Sequence, residues 1–200
     1  MLKFAIILSM SLGLAGATAA FAQPAAPAKP SKAPAAPPRR LGPELWHGAR
    51  IGEGQTDVAA RFPATTASSG EALPGGARSA LVLATELGGA PASAQFYFLT
   101  DSLDTIIIDR PDVTAGNTEG NLAKAHSVAD QLSGEYRKPG ACTEERRLAA
   151  LTCIWVLGEA KAILSYRDIG GAAPKLSVSY RAVKDIKPWA PGPVKRLKPR

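Results

Sequence analysis

The chain has 200 residues, room for one domain or two small ones, and a formal net charge of +7 with a pI near 9.6. The basicity is segregated: residues 41–183 hold 13 Lys and Arg against 16 Asp and Glu, a balance of −3, whereas residues 23–40 carry +4 and residues 184–200 carry +5. A basic nucleic-acid-binding face on the folded part is thereby excluded, and no nucleic-acid partner is expected.

Residues 1–22 read as a signal peptide, with Lys3 as the positive start, Phe4 to Leu14 as the apolar segment and Ala20-Phe21-Ala22 as the small-x-small cleavage site. The apolar segment is about half the roughly 20 residues that a membrane span needs. No Cys stands near the cleavage site, so lipid attachment there is not expected. Cleavage after Ala22 would leave a mature protein outside the cytoplasm, most simply in a bacterial periplasm. Residues 23–40 are dominated by Ala, Pro, Lys and Ser. Such a composition buries nothing, and a disordered, extended spacer is expected.

Leu41 to Arg50 brings Trp46 and His47. A side chain as large as Trp46 buries wherever it docks, so this stretch reads as a lead-in strand or loop packed on the core. His47 stands in no motif and reads as structural. The first helix opens at Gly54 as N-cap, places Asp57 near its positive end and Val58 and Phe62 on one face, and stops at Pro63. Ala64 to Arg78 is a loop rich in polar residues, Gly and Pro. Strands are expected over Ser79–Thr85, Ala94–Thr100 and Leu103–Asp109, with Thr100-Asp101-Ser102 as the tight link between the last two. Strict alternation in the third puts Leu103, Thr105 and Ile107 on one face and Ile106 and Ile108 on the other.

Pro111 to Gly120 is a turn-rich joint. Asn121 is expected to cap a second helix, whose Leu122, Ala125, Ala129, Leu132 and Tyr136 recur at steps of three and four along one stripe. His126 lies one residue off that stripe and reads as a surface residue, because a metal site needs several ligands at matching spacing. Cys142 and Cys153 are the only cysteines, and an even pair behind a signal peptide reads as a disulfide. The pair is neither a C-x-x-C redox site nor, without neighbouring His or Cys, a zinc site. Thr143 to Ala150 is charged enough to be solvated, as a short helical turn. Three more strands follow over Leu151–Leu157, Ala160–Arg167 and Leu176–Val183, with Gly158-Glu159 as a two-residue hairpin link. Asp168 to Pro174 is a longer link whose Gly170-Gly171 is no phosphate loop, since no helix follows it. Residues 184–200 are a basic, Pro-rich, disordered tail containing Trp189.

The same order appears twice. Val58…Phe62-Pro63 corresponds to Leu132…Tyr136…Pro139, Leu81/Leu83 to Cys153/Trp155, Phe96/Phe98 to Leu164/Tyr166, and Leu103…Ile108 to Leu176…Tyr180. The expected fold class is therefore α+β: a tandem α-β-β-β repeat, 41–112 and 113–183, forming one six-stranded antiparallel sheet with both helices on one face. One unit alone buries too little for its size, and joining two edge to edge removes an exposed edge from each.

Two motifs carry a resemblance. Gly52-Glu53-Gly54-Gln55-Thr56-Asp57-Val58 is similar to the Gly-Met-Thr/Ser-x-x-x-Val helix start of SmpA/OmlA-type outer-membrane assembly lipoproteins, and Phe96-Tyr97-Phe98 with Leu103-Asp104-Thr105-Ile106 resembles their aromatic strand and hairpin. A tandem pair with a disulfide also resembles the β-lactamase inhibitor protein architecture. The resemblance covers residues 51–183 and departs from the family at Gly54, where a hydroxyl residue would cap, in having cysteines only in the second unit, and in lacking a lipobox. It implies a binding or scaffolding fold.

No G-x-S-x-G, H-E-x-x-H or Walker sequence is present, and no catalytic residue, cofactor or metal site is expected. Asp101, Asp104 and Asp109 lie on a hairpin without calcium-loop spacing and read as a solvated turn. The leading expectation is a periplasmic protein–protein interaction or scaffolding module that presents a sheet face or hairpin loops to an envelope protein, with most of its strand aromatics in the core and some on an exposed patch. Tyr97, Trp155, Tyr166, Tyr180 and the tail's Trp189 are its candidate surface. The alternatives are a protein tethered by its basic ends to an anionic membrane or cell wall, with salt-sensitive binding, and an inhibitor-like binder of an envelope enzyme.

Overall fold

The computed structural model describes residues 40–168 and 173–183. The expected signal peptide and nearly all of the spacer (1–39), the link 169–172 with its Gly-Gly pair, and the tail 184–200 with Trp189 lie outside the described residues. In chain order the elements are β1 (Glu44–Trp46), β2 (Ala49–Arg50), α1 (Gln55–Arg61), β3 (Thr66–Ala67), β4 (Arg78–Leu87), β5 (Ala90–Leu99), β6 (Ser102–Arg110), α2 (Thr118–Glu135), β7 (Ala141–Glu145), β8 (Ala150–Leu157), β9 (Ala160–Arg167) and β10 (Lys175–Ala182), with one 3₁₀ turn at Arg146–Leu148. The fold is α+β. β1 and β2 form a small hairpin, and the other eight strands form one antiparallel sheet in the order β3-β4-β5-β6-β10-β9-β8-β7.

The sheet has eight strands where the sequence predicts six. The two additional strands are its edges, β3 and β7, and neither contains a buried residue. With no apolar side to hide, neither shows the alternation that marks a half-buried strand. Backbone pairing to β4 and β8 extends them. The stretch after Cys142, expected as a solvated turn, is therefore strand as far as Glu145 and turns only at Arg146–Leu148.

Tight two-residue turns set the register of the long strands. Gly88 and Gly89, both at positive φ, join β4 to β5 and make these strands longer than their apolar runs indicate. At Gly88 a Cβ would lie 2.6 Å from Val128 Cγ2, so glycine is required by α2 as well as by the turn. Thr100 and Asp101 (φ 49° and 58°) turn β5 into β6, and Asp101 Oδ1 accepts a hydrogen bond from Gln55 N at the start of α1. Gly158-Glu159 joins β8 to β9 as expected.

A bulge corrects the predicted faces of β6. Tyr97 pairs with Thr105 but Phe98 pairs with Leu103, leaving Asp104 as an extra residue. The alternation inverts there, so Leu103, Ile106 and Ile108 all enter the core while Ile107 stays on the other side. One buried cluster joins Val58 of α1 and Ala125, Val128, Ala129 and Leu132 of α2 to strand residues from both ends of the chain, among them Leu81, Phe96, Ile106, Val178, Leu164 and Trp155. Each fully buried aliphatic or Phe side chain contributes about 1.5–3 kcal/mol. The β1–β2 hairpin docks here too: Trp46 stacks on Phe62 at 5.9 Å and lies 6.3 Å from Phe96.

The cap of α2 lies four residues before the predicted one. Asn117 is the N-cap, its Oδ1 accepting from Gly120 N at 3.3 Å, and Asn121 is buried one turn inside. Asn121 Oδ1 accepts from Thr114 N and its Nδ2 donates to Thr114 O, tying the preceding joint to the helix. Short polar residues compete for such positions by bonding to nearby backbone, which is why two asparagines four apart give the same sequence signal. The joint is also held by Arg110, which donates to both carboxylate oxygens of Asp112 and to the carbonyl of Leu87.

Cys142 and Cys153 are directly opposite on β7 and β8 and are bonded, with S–S 2.06 Å. No helix among the described residues is long and apolar enough to cross a membrane.

Replacing both cysteines by Ser should lower unfolding free energy by about 3 kcal/mol, the chain-entropy value for a short loop, as read by urea denaturation. Hydrogen bonds from Arg110, helped by Lys124, hold the Asp112 carboxyl down at about 2. Its folded pKa is thus below its unfolded value, and the stability it contributes is present above about pH 4 and lost as pH falls through 2. The urea midpoint of Asp112→Asn should be lower at pH 7 and flatter between pH 4 and 2; an unchanged slope would refute the pairing.

Candidate functional site

The strands divide the sheet into two faces, because successive side chains alternate. One face belongs to the core. On the other, the pairing registers align rows that cross seven strands: Val82, Gln95, Ile107, Ser179, Ile163, Ile154 and Ala141 form one row, and Ala84, Ser93, Asp109, Ser177, Ser165, Thr152 and Thr143 the next. Val82, Ile107, Ile154 and Ile163 are half-buried and belong to no part of the core cluster. At strand spacings of about 4.8 Å a seven-strand row extends about 29 Å.

The chemistry of this outer face is mostly neutral, with branched aliphatics set between hydroxyls. Its charges sit at two ends. At one, Tyr97 Oη donates to Gln95 Oε1 at 2.9 Å, Gln95 Nε2 donates to Asp109 Oδ2 at 3.4 Å, and Lys175 Nζ lies 3.5 Å from Asp109 Oδ1. Burial raises the Asp109 carboxyl above its ordinary value, with Lys175 pulling the other way and Glu71 adding to the rise. Burial, then the Glu71 and Asp109 carboxylates, push the Tyr97 phenol up to about 12. At the other end a groove of about 540 Å³ runs between the sheet and a loop, lined by Leu73, Leu99, Asp104, Ile107, Ser179 and Arg181 among others. Arg181 Nε is buried there with no hydrogen-bond partner among the described residues, and Lys161, opposite Arg181 in register, is buried as well.

Of the aromatics expected to form the interaction surface, the four among the described residues are buried. Trp155 and Tyr166 have no exposed surface, and Tyr97 and Tyr180 are only 2% exposed. Trp155, Tyr166 and Tyr180 alternate onto the core face, where each polar tip finds a partner: Tyr180 Oη lies 2.9 Å from Tyr136 Oη, Trp155 Nε1 donates to Ser133 Oγ, and Tyr166 Oη donates to Asp168. Tyr97 points to the outer face but is walled in by its neighbours. The intervening residues Ile163 of β9 and Ser179 and Arg181 of β10, with Ile107 of β6, lie half-buried on the outer face. Strand parity, and not aromatic size, is the sequence signal that marks Ser179, Ile163 and Arg181 as outer-face residues.

His47 packs edge-on against Trp46, and His126 Nε2 lies 3.1 Å from Glu144 Oε2, linking α2 to β7. Among the described residues no three His, Cys, Asp or Glu side chains converge as a metal ligand set. Compared with protein-family models, curated proteins and solved structures, the chain shows no significant match.

Because Asp109 has a folded pKa above its unfolded value, it costs stability as pH rises from about 4 through the folded value. Asp109→Asn should therefore be more stable than the parent at pH 7 and lose that advantage below about pH 4, measured by thermal melts across the range.

Proposed function

We propose that this chain is a non-catalytic binding module of the bacterial envelope that holds another protein against the outer face of its sheet. The observation that carries the reading is the cross-sheet row containing Val82, Ile107, Ile163 and Ile154, half-buried aliphatics that contribute nothing to the core. A face of partly uncovered aliphatics interleaved with the uncharged Gln95 and Ser179 suits a protein interface better than a charged ligand. The Cys142–Cys153 bond supports an oxidising compartment, in keeping with the expected signal peptide. We further propose that the chain is a duplicated unit with its helices along one side. The succession of a helix and four strands, α1 with β3 to β6 and α2 with β7 to β10, supports this, as does the shared core. The resemblance to assembly lipoproteins and inhibitor proteins points to the same class of role.

Ile107→Glu with Ile163→Glu places two carboxylates on the face without touching the core. Capture of crosslinked partners from envelope extract should drop at least about tenfold, the loss that about 1.4 kcal/mol produces. Unchanged capture by a variant with parental circular dichroism would overturn the reading.

A further inference from the structure

One row of the outer face stays covered past the loop that shields its beginning. Ser79, Tyr97 and Thr105 stand opposite one another on β4, β5 and β6. The β6–β10 register, carried one step beyond Tyr180, brings Arg181 beside Thr105, and Lys161 and Val156 follow on β9 and β8. Residues 68–77 cover the first three. Ser79 Oγ donates to Ser68 Oγ, Ser79 N donates to the Glu71 carbonyl, and Leu73 and Pro74 close the groove that Thr105 and Arg181 line. That lining ends at Arg181, yet Lys161, one strand further, is only 2% exposed, whereas Val156 beyond it is 42% exposed. On an open face a lysine keeps its charged end in water, so burial at this depth calls for a cover that carries negative charge. The chain leaves the sheet at this point. Val183 N donates to Glu159 O, two residues past Arg181 and two before Lys161, so residues 184–200 start beside the covered pair and at the mouth of the groove.

We propose that residues 184–191 fold back as a strap over this face, with Asp185 meeting Arg181 and Lys161 and Trp189 entering the groove beside Leu73 and Leu99. Asp185 is the single acid of residues 184–200 and stands four residues after Arg181, so a reversal of the chain sets its carboxylate over the two cations. Asp104, the carboxylate of the groove itself, accepts from Thr105 Oγ1. From Asp185 the four residues to Trp189 reach about 12 Å in the extended form that Pro188 and Pro191 favour. β5 lies two strands from β10, about 10 Å away, so the reach matches the distance to Leu99. Leu99, 46% exposed at the groove, is then covered by the indole. Proline-bearing extended chain enters apolar grooves at low ordering cost. One consequence rests on the proposed function: the strap occupies one end of the face that a partner would use, so strap and partner compete.

Trp46 and Trp155 are buried in the core, so the fluorescence difference between the parent chain and Trp189→Ala reports Trp189. That difference should be blue-shifted and shielded from iodide. Asp185→Lys, which repels the two cations, and Leu99→Glu, at an exposed position, should each open the strap about tenfold, the factor that loss of one charged or apolar contact produces. The readout is Trp189 emission that moves to the red and becomes accessible to iodide while circular dichroism stays parental. Red, fully quenched Trp189 emission in the parent, or emission unchanged in both variants, would overturn the proposal. Shielding that disappears on dilution would assign the strap to a second copy and overturn it as a contact within one chain. Partner capture from envelope extract is scored separately: Asp185→Lys should capture more than the parent. The strap is judged by Trp189 emission and face docking by capture with Ile107→Glu and Ile163→Glu, so either idea can fail alone.

Discussion

The structure depends on the antiparallel pairing of β6 with β10. Leu176 meets Arg110, Val178 meets Ile108 and Tyr180 meets Ile106, and this one ladder fuses the strands before the joint with those after it. Without it, each set would expose the unpaired backbone of its most apolar strand and keep only half a core, a poor state for so few residues. Other parts converge on the same seam. β1 packs on β10, β9 and β6, and the end of α2 reaches it through the Tyr136–Tyr180 hydroxyl contact. Burial raises both phenols, Tyr136 to about 12, so the pair stays neutral at any physiological pH.

Buried polar residues mark the places where connecting segments are fastened. Glu53, 2% exposed, receives Arg61 Nη2 at 2.7 Å and Arg50 N at 3.1 Å, while its own backbone carbonyl accepts from Leu103 N. Arg110 and Asn121 do comparable work on the joint before α2. In each case a charged or amide side chain is satisfied inside the protein, so its burial stabilises a connection instead of leaving a stranded donor or acceptor. α1 is only Gln55–Arg61 and has no side-chain cap, so these ties hold what its own turns cannot.

The two faces of the sheet have different tasks, and parity along the strands assigns them. Large aromatics and aliphatics go to the core face, and small hydroxyls with scattered isoleucines go to the outer one. Parity changes at Ala80 in β4 and at the bulge in β6, and at the latter Asp104 is pushed to the rim of the groove. The bulge thus feeds Leu103 into the core and shapes the outer face at once.

Periodicity alone determined the central strands, the helix stripe of α2 and the hairpin at Gly158, because burial on one side imprints a period on the residues themselves. The paired cysteines were equally legible, since redox chemistry limits what two thiols behind an expected signal peptide do. The edge strands, the bulge and the true cap at Asn117 were not. Each is decided by the residue it meets and not by a period of its own: Val82 for Thr66, Cys153 for Cys142, Leu103 for Phe98, and Gly120 for Asn117. The same holds for the candidate surfaces. A residue's own identity says how much it gains by burial, but which side of a sheet lies uncovered depends on what packs against the other side, and only the tertiary structure decides that.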